Sequence, residues 1–279
     1  MSDQHVTEER PLDDQVLHRV AEGVAWITLN RPEAHNAITP DQRDRVIELL
    51  ASASDDLGIR CVVLTANGKG FCTGADLRAG RSGPARPAGA PERTAGEVAR
   101  LIRDGAQRLI AAVLDCDKPV IAAVNGTAAG IGAHLAFAAD LVLAAESASF
   151  IEVFVRRGLV PDGGGAYLLP RMIGPHKAKE LLFFGDKIPA ADAATMGLVN
   201  RVVPDEELLT TAAAWAARLA AGPRSIVLTK WLVNRSLDSD RSTAFHDEAM
   251  AQDLNMTTAD AQEGVASFVE RREAEYRGW

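Results

Sequence analysis

Cysteine is scarce in this chain: only Cys61, Cys72 and Cys116 occur, and three cannot all pair. They sit in apolar, strand-like surroundings, so the expectation is free thiols in a reducing cytoplasm. No run reaches the ~18 apolar residues of a membrane span, although 47% of the sequence is hydrophobic. Positive charge is also short. With 30 Lys and Arg against 38 Asp and Glu, the net charge is −8, which argues against nucleic-acid binding. Met1–Arg10 is polar and acidic without an apolar centre, so no signal peptide is expected. Histidines, cysteines and carboxylates show no metal-ligand spacing, and no Gly-x-Ser-x-Gly elbow occurs. No metal and no nicotinamide are expected.

Two glycine-rich segments stand out against these absences. Pro119–Ala122 reads as a buried strand that runs into Ala123-Val124-Asn125-Gly126-Thr127-Ala128-Ala129-Gly130-Ile131-Gly132-Ala133-His134. The pair Asn125-Gly126 marks a turn, and the apolar stretch Leu135–Ala139 that follows suits a helix. A strand, a small-residue turn and a helix start leave backbone N–H groups without intrahelical partners. The second segment repeats the plan: Cys61–Ala66 is a β-branched strand, followed by Asn67-Gly68 and then Lys69-Gly70-Phe71-Cys72-Thr73-Gly74-Ala75-Asp76-Leu77. Neither fits the Gly-x-x-x-x-Gly-Lys-Ser/Thr cradle or the dinucleotide fingerprint.

The remaining pattern alternates strands and helices. Val16–Arg19 and Val24–Leu29 read as strands joined across Ala21-Glu22-Gly23. Thr39 suits an N-cap, with Pro40 at the first helical position and Val46, Ile47, Leu49 and Leu50 as the apolar face. Residues 79–93 are rich in Gly and Pro and read as a mobile loop beside the site. A long helix is expected from about Ala95 to Val113, then a strand over Val120–Val124. From about Asp205 only helices are expected: Leu208–Ala220, Ser225–Arg235, one within Arg241–Leu254, and Ala259–Glu273. The strand-strand-helix order suggests stacked ββα turns, with a core over residues 1–204 and a helical region over 205–279.

In order and spacing, four motifs resemble the crotonase, or enoyl-CoA hydratase/isomerase, superfamily. They are Ile27–Ala37, Gly70–Leu77, the Ala123–His134 loop and Glu263–Phe268. The segment Ser149–Ile151 with Gly158-Leu159-Val160-Pro161-Asp162 particularly resembles the 1,2-epoxyphenylacetyl-CoA isomerases. The resemblance implies an α/β spiral of ββα repeats with a C-terminal α-helical region that covers the site and builds trimers or dimers of trimers. It also implies a coenzyme A thioester as substrate, with no tightly bound cofactor. Its carbonyl oxygen would lie between the backbone N–H groups of Ala75 and Ile131, which stabilise an enolate.

Where hydratases of this family carry two glutamates, this chain has His134 and Phe154. Three groups remain for proton transfer. Asp162 stands where relatives that isomerise acyl-CoAs have a catalytic aspartate, but it could instead cap the following helix. His134 could act as acid or base, or simply bond a backbone carbonyl. Glu152, two residues before Phe154, would share its face in an extended segment. By family position Ala34, His35 and Asn36 border the coenzyme, with Cys72, Asp76 and Leu77 opposite. Lys69 and Arg78 are candidates for the phosphates, and Phe268 and Arg272 for closing the adenine site. The expectation is isomerisation of an unsaturated or ring-derived acyl-CoA. The alternatives are a 2-enoyl-CoA hydratase of fatty-acid-type β-oxidation and a non-catalytic acyl-CoA-binding subunit.

Overall fold

A computed structural model describes residues 10–78, 87–91 and 94–279. The leader and most of the loop read at 79–93 lie outside the described residues. In chain order the first elements are α1 (Leu12–Gln15), β1 (Val16–Ala21), β2 (Val24–Leu29), α2 (Pro40–Asp55), β3 (Cys61–Ala66) and β4 (Gly70–Cys72). Next come α3 (Glu97–Leu101), a π-helical stretch Ile102–Gln107, α4 (Arg108–Leu114), β5 (Val120–Val124), β6 (Thr127–Ala129) and α5 (Ile131–Phe137). They are followed by β7 (Leu141–Ala145), β8 (Ser149–Ile151), α6 (Gly165–Phe184), β9 (Lys187–Pro189), α7 (Ala190–Thr195) and β10 (Arg201–Val203). The chain closes with α8 (Leu208–Ala220), α9 (Ser225–Ser236), α10 (Arg241–Met256) and α11 (Ala259–Glu270).

Three central turns of the spiral, β3–β4, β5–β6 and β7–β8, each give one strand to each of two sheets before a helix follows. The larger sheet runs β1-β2-β3-β5-β7-β10 and the smaller β4-β6-β8-β9. β2, β3, β5, β7 and β10 pair in parallel, as do β4, β6 and β8, whereas β1 and β9 join antiparallel. β3 and β5 are buried along their whole length, as expected of parallel strands covered on both faces. The spiral of ββα repeats with its C-terminal helices is therefore present.

Local signals explain the element ends. Thr39 Oγ1 accepts from Gln42 N at 3.2 Å while Gln42 Oε1 accepts from Thr39 N at 3.1 Å, a capping box with Pro40 inside it. Two readings are revised. The helix expected from Ala95 to Val113 is interrupted by the π-helical stretch, and a three-residue strand, β6, separates the Asn125-Gly126 turn from α5. α8 lies on the sheet with Leu208, Ala212 and Ala216 buried, whereas α9 buries no residue completely. Lys230 pins α9 to the core, its Nζ lying 2.8 Å from Asp140 Oδ2 and donating to the carbonyls of Val113 and Lys118. The free thiols of Cys61 and Cys72 are pushed up to about 12 and about 11, chiefly by burial.

Candidate active site

Parallel pairing of β4 with β6 brings the two glycine-rich loops to the same sheet edge. The first loop is tied down by side chains. Arg31 Nη1 lies 3.0 Å from Asp76 Oδ2 and also donates to the Ala37 carbonyl. Asn36, buried and at φ 55°, accepts from Arg31 N and donates to the carbonyls of Asn67 and Gly70 at 2.9 and 2.7 Å. Ile38 bridges the loop by donating to Gly74 O while its carbonyl accepts from Asp76 N. Ala75 lies between those two bonds, so its own N–H points away from Ile38. That N–H donates to no described residue.

The second loop is held by contact. A Cβ on Gly132 would fall 2.0 Å from the Cys72 carbonyl oxygen, so only glycine lets α5 start directly over β4. Ile131 opens α5, and its N–H, like that of Gly132, has no partner among the described residues. Its side chain reaches the Asp162-Gly163 turn, Cγ1 lying 3.3 Å from where a Gly163 Cβ would stand.

Behind Ile131, one turn along α5, His134 is wholly buried. Its Nε2 lies 2.9 Å from Glu152 Oε2, and Glu152 is itself only 2% exposed. Phe154 stacks on the ring with centroids 5.3 Å apart. Glu152 and Phe154 both meet the imidazole, but not through the alternation of an extended segment: β8 ends at Ile151, and Phe154 has helical φ and ψ of −56° and −50°. The expected partner for His134, a backbone carbonyl, is replaced by this carboxylate. Gly163 and Gly165 close over the imidazole; a Cβ on Gly165 would lie 2.2 Å from Nε2.

Asp162 is half-buried on the same turn. Burial raises its carboxyl above the usual carboxylate range, and the nearby His134 works in the opposite sense. The capping reading is corrected: the N-cap of α6 is Gly164, and no side chain caps that helix. Asp162 is left without the structural task proposed for it.

The coenzyme candidates divide. Ala34, His35, Lys69, Asp76, Leu77 and Arg78 gather at the first loop, where the His35 carbonyl accepts from Thr73 Oγ1 at 3.2 Å. Lys69, Leu77 and Arg78 are exposed. Asp76 is engaged by Arg31 and accepts from Arg78 N. The Cys72 side chain is fully buried, so it supports the loop from beneath. Phe268 stands on α11, 85% exposed, and Arg272 is held by Glu263 and Glu270. Arg31 escaped the sequence reading. It lies within the Ile27–Ala37 motif, but its partner is 45 residues away. A cavity of about 1180 Å³ between α4, α6, α9 and α10 is lined by none of the loop residues. Among the described residues no group of three metal-binding side chains occurs, and no helix is long and apolar enough to cross a membrane.

Comparison with known proteins shows the family and the fold. The enoyl-CoA hydratase/isomerase family profile matches residues 19–278. The 1,2-epoxyphenylacetyl-CoA isomerase of Escherichia coli is 36% identical over 264 residues, covering 94% of this chain and 98% of that protein. The crotonyl-CoA hydratase of Syntrophomonas wolfei is 36% identical over 265 residues, with 94% and 98% covered. Among solved structures, an enoyl-CoA hydratase from Bacillus anthracis superposes with a TM-score of 0.85 at 32% identity, covering 95% of this chain and all of that one.

Proposed function

The chain belongs to the enoyl-CoA hydratase/isomerase family, and from that premise we propose that it isomerises an unsaturated or ring-derived acyl-CoA through a thioester enolate. The thioester carbonyl oxygen sits between the N–H groups of Ala75 and Ile131. Both lack a partner among the described residues, both are main-chain, and they follow two paired parallel strands. Donors fixed before the reaction stabilise the charge that develops as a proton leaves the acyl chain; removing one donor of this kind costs about 3 kcal/mol of transition-state stabilisation. Asp162 takes the proton and returns it to another carbon. Its raised carboxyl pKa suits that task, because a base works best near the operating pH. Lys69 and Arg78 meet the coenzyme phosphates, and the solvent-facing edge at Ala34, His35 and Leu77 takes the pantetheine.

The observation that carries isomerisation over hydration is the company His134 keeps. Hydration needs acid–base groups that position a water molecule, yet His134 and Glu152 are buried against each other and Phe154 has no proton to move. Asp162 is then the acid–base group left within reach of solvent. The test is a set of acyl-CoAs incubated in deuterated water and followed by mass spectrometry and NMR. Deuterium entering at Cα or Cγ, with the double bond moved, is expected. Efficient conversion of crotonyl-CoA to its hydrate would replace this reading with a hydratase, and binding without exchange would indicate a carrier.

The same reading includes a trimer or dimer of trimers in the cytoplasm. Its support is the apolar surface of the last three helices, where Val233, Phe245, Leu254, Val265 and Val269 are exposed. Light scattering that returns a monomer mass at all concentrations would overturn it.

A further inference from the structure

His134 and Glu152 together leave two buried polar atoms without partners, Nδ1 of the imidazole and Oε1 of the carboxyl group. Counting protons decides what this means. A carboxylate beside a neutral imidazole that carries its hydrogen on Nε2 would bury a net negative charge, which is strongly unfavourable without further partners. The pair can be neutral in three ways: imidazolium beside carboxylate, imidazole accepting from a carboxylic acid at Oε2, or imidazole donating from Nε2 to an acid protonated on Oε1. The first two place one proton between Nε2 and Oε2 and the other on Nδ1. The stacked Phe154 ring, 5.3 Å away, favours the imidazolium form.

Nδ1 faces the Asp162-Gly163 turn, lying 3.2 Å from the position a Gly163 Cβ would take. We propose that Glu152 and His134 form a buried proton-sharing pair whose Nδ1–H is aimed, through one water, at the Asp162 carboxylate and holds it as a base. His134 is then a positioning residue, since its complete burial keeps it from substrate, and Glu152 fixes which nitrogen faces the base. The role assigned to Asp162 rests on the function proposed above; the proton-sharing pair does not. His134 already draws the Asp162 carboxyl down against the effect of burial.

Other ionisable groups around α5 are few. The buried residues of α4 are Leu109, Ile110 and Val113, and β5 is apolar throughout. β4 contributes only the Cys72 thiol, pushed up to about 11 by burial. At the start of α6, Tyr167 and Arg171 are both engaged by Asp238.

The experiment is NMR on the full chain without ligand, labelled with 15N-histidine and 13C-carboxyl aspartate. One histidine is expected to carry a proton on Nδ1 and a second, hydrogen-bonded proton at Nε2. In Glu152→Gln the same ring should lose that second proton. In the double variant His134→Leu/Glu152→Gln, which leaves no unpaired buried charge, the Asp162 titration should move up by about one pH unit. Asp162→Asn assigns that resonance. A lone pair on Nδ1 of His134 at pH 7 in the native chain would overturn the pair, and an unmoved Asp162 titration would overturn its positioning role. Should the double variant not fold, the native spectrum and Glu152→Gln still decide the pair. Because no acyl-CoA is present, a chain that passes these tests yet exchanges no acyl-CoA proton keeps the pair and loses only the catalytic reading of Asp162.

Discussion

The two glycine-rich loops present the same group, a backbone N–H without a partner among the described residues, and are fixed mainly by different means. The loop after β4 is sewn to its neighbours by side chains, with Arg31 on Asp76 and Asn36 on two carbonyls. The loop after β6 has fewer, Asn125 donating to the Gly68 carbonyl ahead of it, and is located mainly by absence of side chain, where Gly132 rests on Cys72 and Gly165 of α6 on His134. A loop held by polar stitches can lose one and remain roughly in place. A loop held by steric fit tolerates no added atom at the contact. The difference predicts how each fails.

The largest effect belongs to the second loop. Gly132→Ala forces a methyl group onto a backbone oxygen that no rotamer change can move, and should destabilise the chain by about 3 kcal/mol or more. Thermal unfolding measures this, and a melting temperature near that of the parent would show that α5 has more room than the geometry allows. Asp162→Asn comes next and separates chemistry from fitting. Proton exchange should fall by ~10² or more. Stability should not fall, and the sign can be stated. A carboxyl whose folded pKa is raised stabilises the fold only while protonated, and that contribution is lost as pH rises through the folded pKa. The neutral amide escapes the loss, so at pH 8 the variant should melt at or above the parent temperature. In the parent, exchange should rise with pH through that same raised pKa.

The first loop should yield more gently. Asp76→Asn weakens one partly buried ion pair while Asn36 and the Ile38 bridge remain, so a loss of about tenfold in kcat/KM is expected, with a melting temperature within a few degrees of the parent. A collapse like that of Gly132→Ala would erase the contrast between the loops. Smallest is the rim: Lys69→Ala and Arg78→Ala should each weaken coenzyme A binding a few-fold, more at low salt than at high, because exposed charges are screened. Calorimetry at two salt concentrations reads this directly, and salt-independent affinity would remove both residues from the phosphate site.

How much of this the sequence shows depends on the range of the signal. Capping at Thr39, the span of α8 and the strand β2 all follow from neighbours within a few residues, and they appear as read. The smaller sheet was nearly invisible. β4, β6 and β8 are three residues each, and β4 begins at a glycine, so no alternation could develop before the strand ended. At the site, the position of Asp162 was legible but its freedom from capping was not, because Gly-Gly-Gly after an aspartate reads equally well as a helix start. The bond between His134 and Glu152 spans 18 residues and arises only because β6 and β8 pair. Spacing along the chain gives no hint of it.

The free N–H groups at Ala75 and Ile131 belong to the main chain, and that has an evolutionary consequence. Nineteen of the twenty amino acids carry such a hydrogen; proline alone does not. Mutation at either position can reshape the pocket through whatever side chain arrives while the donor itself survives. The oxyanion site proposed for them is thereby shielded from most genetic change. The proton-handling groups proposed, the side chains of Asp162, His134 and Glu152, can be altered by any substitution. A lineage using this scaffold can therefore exchange one acid–base arrangement for another without passing through a form that has lost its hold on the carbonyl.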